Sequence, residues 1–134
     1  MCLSSVSKVF GIRDKKTHRI KPVTDMVVPA WKAISLGSDG KVRTNYDLKT
    51  RVSGKWYKSG TSSKDAGKQG YAYEPGFHAF LSKANAITYG YNYVVPVLMR
   101  KVVAYGSQDN NEKKKAIVAR EMMLFPDAVP ERVN

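Results

Sequence analysis

The stretch that decides the fold runs Val94-Val95-Pro96-Val97-Leu98-Met99-Arg100-Lys101-Val102-Val103-Ala104-Tyr105 and returns as Ala116-Ile117-Val118-Ala119-Arg120-Glu121-Met122-Met123-Leu124-Phe125. Both runs are apolar and rich in β-branched residues, which suit a pleated, half-buried surface. The polar segment 106–115, with Asp109-Asn110-Asn111 inside it, divides them. This spacing predicts a long antiparallel hairpin. Helix competes over 113–123, where alanine, glutamate, lysine and methionine are all good helix formers.

Working outward, 76–81 reads as a short strand. Ser82 follows as the N-cap of a helix over 83–89, with Ala86 and Ile87 turned inward and Gly90 ending it. Upstream, 25–36 holds Met26, Val27, Val28, Trp31, Ile34 and Leu36 around Pro29, an extended segment with the proline at an edge, a bulge or a break. Ser38-Asp39-Gly40 marks a tight turn and 41–46 its returning strand. Residues 49–70 are dominated by glycine, serine and lysine, so a long mobile loop is expected, centred on 58–70. A basic lead-in over 1–24 and a tail beginning at Pro126 read as irregular. The sum is a single α+β domain over 1–134, mainly antiparallel strands with one or two helices.

Composition narrows the function classes. The 134 residues carry 23 Lys and Arg against 11 Asp and Glu, a formal charge of +12. The imbalance is uneven: residues 1–68 hold 15 basic and 5 acidic side chains, residues 69–134 hold 8 and 6. A lopsided positive potential steers phosphate-rich ligands, so an anionic partner, nucleotide or nucleic acid, is expected. One cysteine excludes an internal disulfide, and two histidines with it make a structural zinc site a poor fit. No apolar run reaches the ~20 residues a spanning helix needs, so no membrane partner is expected. A reducing cytoplasm fits the cysteine usage.

Several stretches invite chemistry. Gly60 to Lys68 looks superficially like a phosphate loop, but six residues separate its glycines instead of four, and Gln69 stands where Ser or Thr would hold magnesium. A nucleoside-triphosphatase is rejected, and no cofactor is expected. Arg51, Lys55, Trp56, Tyr57 and Lys58 interleave cations with rings, a composition that suits phosphates beside a stacked base. The bland alternative buries the rings and solvates the lysines. Arg43, Tyr73 and His78 are secondary ligand-contact candidates. Tyr71, Tyr73, Tyr89, Tyr91 and Tyr93 crowd into 23 residues. Such a face can stack bases, build a homo-oligomer interface or lie beneath lysines. Cys2 would offer an N-terminal nucleophile only with partners the sequence does not mark. His18 reads as solvated and His78 as a hydrogen-bonded structural histidine.

Two resemblances add to this. Met1-Cys2-Leu3, Trp31-Lys32-Ala33-Ile34 and Gly76-Phe77-His78-Ala79-Phe80, followed by Ser82 and Ala86, resemble small uncharacterised accessory proteins of tailed bacteriophages. That resemblance implies a counter-defence or host-takeover protein in the cytoplasm of an infected bacterium, acting on a host nucleic acid, protein or signalling nucleotide. Residues 76–86 with Glu121-Met122-Met123-Leu124-Phe125 are similar to ADP-ribosyltransferase-like folds. This second resemblance implies Glu121 in the place of the catalytic glutamate and His78 in the middle motif. The Ser-Thr-Ser or Tyr of that motif is absent, and no Arg or His opens the first strand. Three functions therefore stand as expectations: a binding protein for a phosphate-bearing ligand, a transferase, and a protein–protein inhibitor.

Overall fold

The computed structural model describes residues 5–9, 12–13, 20–21, 26–44, 49–59, 76–88, 93–108 and 111–133. Tyr73, Cys2, His18, residues 60–70 of the expected loop and the tyrosines at 71, 89 and 91 lie outside these, while the lead-in over 1–24, expected to be irregular, carries strands at 5–9, 12–13 and 20–21. The predicted hairpin is the longest feature: β9 (Tyr93–Gln108) and β10 (Asn111–Leu124) pair antiparallel along nearly their whole length. Helix does not form over 113–123, because alternate residues there fill two apolar layers, and a strand is the geometry that serves both faces.

The remaining strands are β1 (Ser5–Val9), β2 (Ile12–Arg13), β3 (Ile20–Lys21), β4 (Val27–Leu36), β5 (Val42–Thr44), β6 (Thr50–Arg51), β7 (Trp56–Lys58), β8 (Phe77–Phe80) and β11 (Glu131–Arg132). All their pairings among the described residues are antiparallel. One edge of β9 takes β4 along its first half and β1 along its second, while β10 carries β8 and β7 on its far edge. A single bridge, Trp31 to Phe80, closes the path from β8 back to β4. Pro29 stays in register opposite Leu98, without breaking the strand. The domain is more β-rich than a balanced α+β fold. Its one described helix, α1 (Lys83–Ile87), is five residues long. Ser82 caps it as expected, accepting a hydrogen bond from the Asn85 N–H, and Ala86 is buried, but Ile87 faces outward. The stretch 49–59, expected as loop, instead carries β6 and β7 around a turn in which Gly54 has φ 80°.

Two apolar layers result. Ala30, Ile34, Val95, Val97, Met99, Val102, Ile117, Ala119, Met122 and Leu124 form the main core. Phe80, Ala86, Val94, Val103, Ala104, Ala116 and Val118 form a second one beneath α1, flanked by Trp31. Each fully buried large side chain stabilises the fold by about 1.5–3 kcal/mol. The Lys83 ammonium lies 5.4 Å from the Trp31 ring centroid and 2.5 Å from a Glu131 carboxylate oxygen, tying α1 to β11.

The hairpin is not uniform. Val118 pairs with Ala104 but Ala119 with Val102, so Val103 is an extra residue, a β-bulge. Lys101, two residues before it, has φ 55°, in the left-handed region that lysine seldom enters. Met99 and Val102 consequently both reach the main core, as do Ala119 and Met122 opposite them. Arg100, Lys101, Arg120 and Glu121 are the residues left between those positions.

Gly76 sits where β8 enters the sheet. A Cβ there would lie 2.3 Å from the carbonyl oxygen of Ala119 and 2.8 Å from its carbon. These are backbone atoms of β10 and cannot swing aside. Gly76→Ala is expected to cost about 1–3 kcal/mol by overpacking, read as a lower urea midpoint with the slope unchanged.

Candidate functional site: the outer face of the central sheet

Strand register places the site. Val28, Met99, Met122 and Tyr57 pair in sequence across β4, β9, β10 and β7, and the side chains of Val28, Met99 and Met122 belong to the main core. Their neighbours alternate to the opposite face. One row there is Val27, Arg100, Glu121 and Lys58; the next is Pro29, Leu98, Met123 and Trp56. Further along this face, Trp31 and Val94 pack with Ala86 of α1 in the second core. Val27 is 49% exposed, Pro29 and Lys58 are exposed, and Leu98, Met123, Trp56 and Arg100 are part-exposed.

Arg100 organises the rows. Its guanidinium carbon lies 3.9 Å from the Trp56 ring centroid, a cation–π stack. From there Nε and Nη2 reach the Glu121 Oε1 at 2.7 and 2.6 Å. Lys101 takes the other carboxylate oxygen at 2.6 Å, a reach that its left-handed backbone allows. Glu121 is 3% exposed, against 38% for Arg100 and 54% for Lys101. Burial pushes its carboxyl upward, but hydrogen bonds and charge from Lys101 and Arg100 outweigh this and hold it below the usual glutamate range. The carboxylate thus faces its two cations rather than solvent, while both cations keep one side to water.

A glutamate with a depressed pKa stabilises the fold above its ordinary value of 4.5, and that contribution disappears as pH falls through the lowered one. Glu121→Gln is expected to lose about 1–2 kcal/mol at pH 7, less than for a fully buried pair because Arg100 and Lys101 can rehydrate. Urea melts of variant and parent should converge as pH falls through the lowered Glu121 pKa. The same change frees two cations, so affinity for an added anion should rise.

The residues singled out from sequence are distributed over several places. Trp56 and Lys58 share the outer face. Lys55 lies on the other side, its ammonium 5.3 Å from the Tyr57 ring centroid. Arg51 is 7% exposed, its guanidinium 4.7 Å from Tyr57 and 5.2 Å from Phe77, with Nε donating to Thr44 Oγ1 at 3.3 Å. The Tyr57 hydroxyl accepts the Val52 N–H at 2.8 Å. Arg43 pairs with Asp39 at 2.9 Å across the β4–β5 hairpin. His78 is half-buried on β8, with Nδ1 3.2 Å from the Gly76 carbonyl oxygen, while the Lys32 ammonium donates to the His78 carbonyl. Burial first, and the Lys32 charge second, push the His78 ring down to about 3 against the pull of that Gly76 contact, so it is neutral at pH 7.

Sequence reading passed over Arg100, Lys101 and Met123. The available signal was a pair of cations set into the apolar run 94–105, matched by Arg120-Glu121 in its partner. Among the described residues no three His, Cys, Asp or Glu side chains gather as a metal site, and no helix is long and apolar enough to cross a membrane. Comparison with protein-family models, curated proteins and solved structures finds no match to this chain.

Proposed function

We propose that this chain is a non-enzymatic binding protein that holds a phosphate-bearing ligand, nucleotide or nucleic acid, on the outer face of β4, β9, β10 and β7. One observation carries the reading: Arg100 and Lys101 hold the single carboxylate of Glu121, whose cross-strand neighbour on β7 is Lys58, beside a ring and a row of apolar side chains. Three cations to one anion leave the face positive, and Glu121 holds two of them in position before any ligand arrives. Preorganised cations lose less entropy when a phosphate binds. The formal charge of +12 supplies long-range attraction to the same ligands.

With the resemblance to phage accessory proteins, the ligand would be a host nucleic acid or an immune signalling nucleotide, met in the cytoplasm of an infected bacterium. The test is binding of labelled nucleotide and oligonucleotide at two salt concentrations, with Lys58→Glu combined with Lys101→Asn. Loss of binding in the variant supports the reading. Unchanged affinity for every phosphate ligand overturns it.

A further inference from the structure

We infer that the ligand of this face is single-stranded nucleic acid, an inference that rests on the reading of the outer face given above. The two outer rows differ in chemistry and run side by side. Pro29, Leu98, Met123 and Trp56 form an apolar row; Arg100, Glu121 and Lys58 lie in the row beside it, with Lys101 adjoining. Rows two residues apart along a strand are separated by about 7 Å. Four strands spaced by about 4.8 Å give the apolar row a length of about 14 Å and the charged part of its neighbour, on three of those strands, about 10 Å, the reach of about two nucleotides. The charged row therefore suits a sugar–phosphate backbone while the apolar row receives the bases attached to it.

A duplex fits this arrangement poorly. Its bases are stacked on one another, and reading them requires an element that enters a groove. An apolar row pressed on a duplex would meet only sugars and phosphates, which lose water there without gaining a partner. Unstacked bases instead present faces that an aromatic ring and thioether or aliphatic side chains can cover. Trp56 is the ring, steadied from one side by the Arg100 guanidinium. An acidic protein surface would satisfy the cations and leave the apolar row without bases to cover.

The experiment is fluorescence anisotropy with a labelled ten-nucleotide oligothymidylate, a duplex of the same length and a mononucleotide. It is run on the full chain and on Trp56→Ala, Trp56→Phe and Lys58→Glu. The single strand should bind tighter than the duplex. Trp56→Ala should weaken the single strand by about five- to a hundredfold and leave the duplex unchanged, with Trp56→Phe recovering most of the loss. Equal affinity for duplex and single strand, with no effect of Trp56→Ala, overturns the inference. If Lys58→Glu still weakens binding in that case, the basic face stands and only the ligand class is wrong. Binding of the mononucleotide as tightly as the oligonucleotide also overturns it. Binding of no nucleic acid or nucleotide at all sinks both readings.

Discussion

Folding stability should fall by about 2 kcal/mol between pH 7 and pH 5, and His78 is the cause. Its ring is held neutral in the fold, with a pKa near 3 against 6.5 for the free side chain. The unfolded chain therefore binds a proton that the folded one refuses. The contribution is complete above pH 6.5 and is lost as pH drops toward 3, at about 1.4 kcal/mol per pH unit. For a domain stabilised by about 5–15 kcal/mol this is a large share. Urea melts across the window should show the slope, and His78→Phe should flatten it. NMR titration of the ring gives a second reading that does not depend on the variant folding. A ring that titrates near 6.5, or stability that is level from pH 7 to 5, contradicts the assignment.

The double variant Lys58→Glu, Lys101→Asn should weaken phosphate-ligand binding by at least about a hundredfold. Each charge-assisted contact contributes about 1.5–3 kcal/mol, so two together span that factor. Asparagine is chosen because it tolerates the left-handed φ of 55° at position 101. Arg100 still holds Glu121, so the fold keeps most of this cluster. For an oligonucleotide the dependence of log affinity on log salt should become shallower by about 0.7–0.9 per phosphate contact removed. A variant with parental affinity and salt slope would show that these lysines are solvated surface and nothing more.

What was legible in the sequence follows from which residues have only one physical use. The hairpin of β9 and β10, the Ser82 cap, the Asp39-Gly40 turn and the strand 76–81 each rest on local patterning, and each is present. The segment 49–59 departs from the expected loop because glycine, serine and lysine there mark turns, while the pairing of Trp56–Lys58 to Met123–Glu121 is set by residues 63 to 67 positions away. Arg51, Lys55, Trp56 and Lys58 look equivalent along the chain. Alternation separates them: Lys55 goes with Tyr57 toward one side, Trp56 with Lys58 toward the other, and Arg51 is drawn between two rings. Charge counting also points mainly to the first half. The face draws equally on the second: Arg100 alternates outward from Met99, and Lys101 is turned aside by its left-handed backbone just before the bulge at Val103, which no local pattern announces.

The most direct measurement of the central claim uses the five methionines as reporters. Met122 and Met123 are adjacent in β10 yet lie on opposite faces, Met122 and Met99 being fully buried and Met123 part-exposed beside Trp56. With 13C-methyl-methionine labelling, adding an oligonucleotide should shift the Met123 methyl signal and leave Met99 and Met122 in place. A ligand that binds without moving Met123 would contradict the assignment of the outer face as its site.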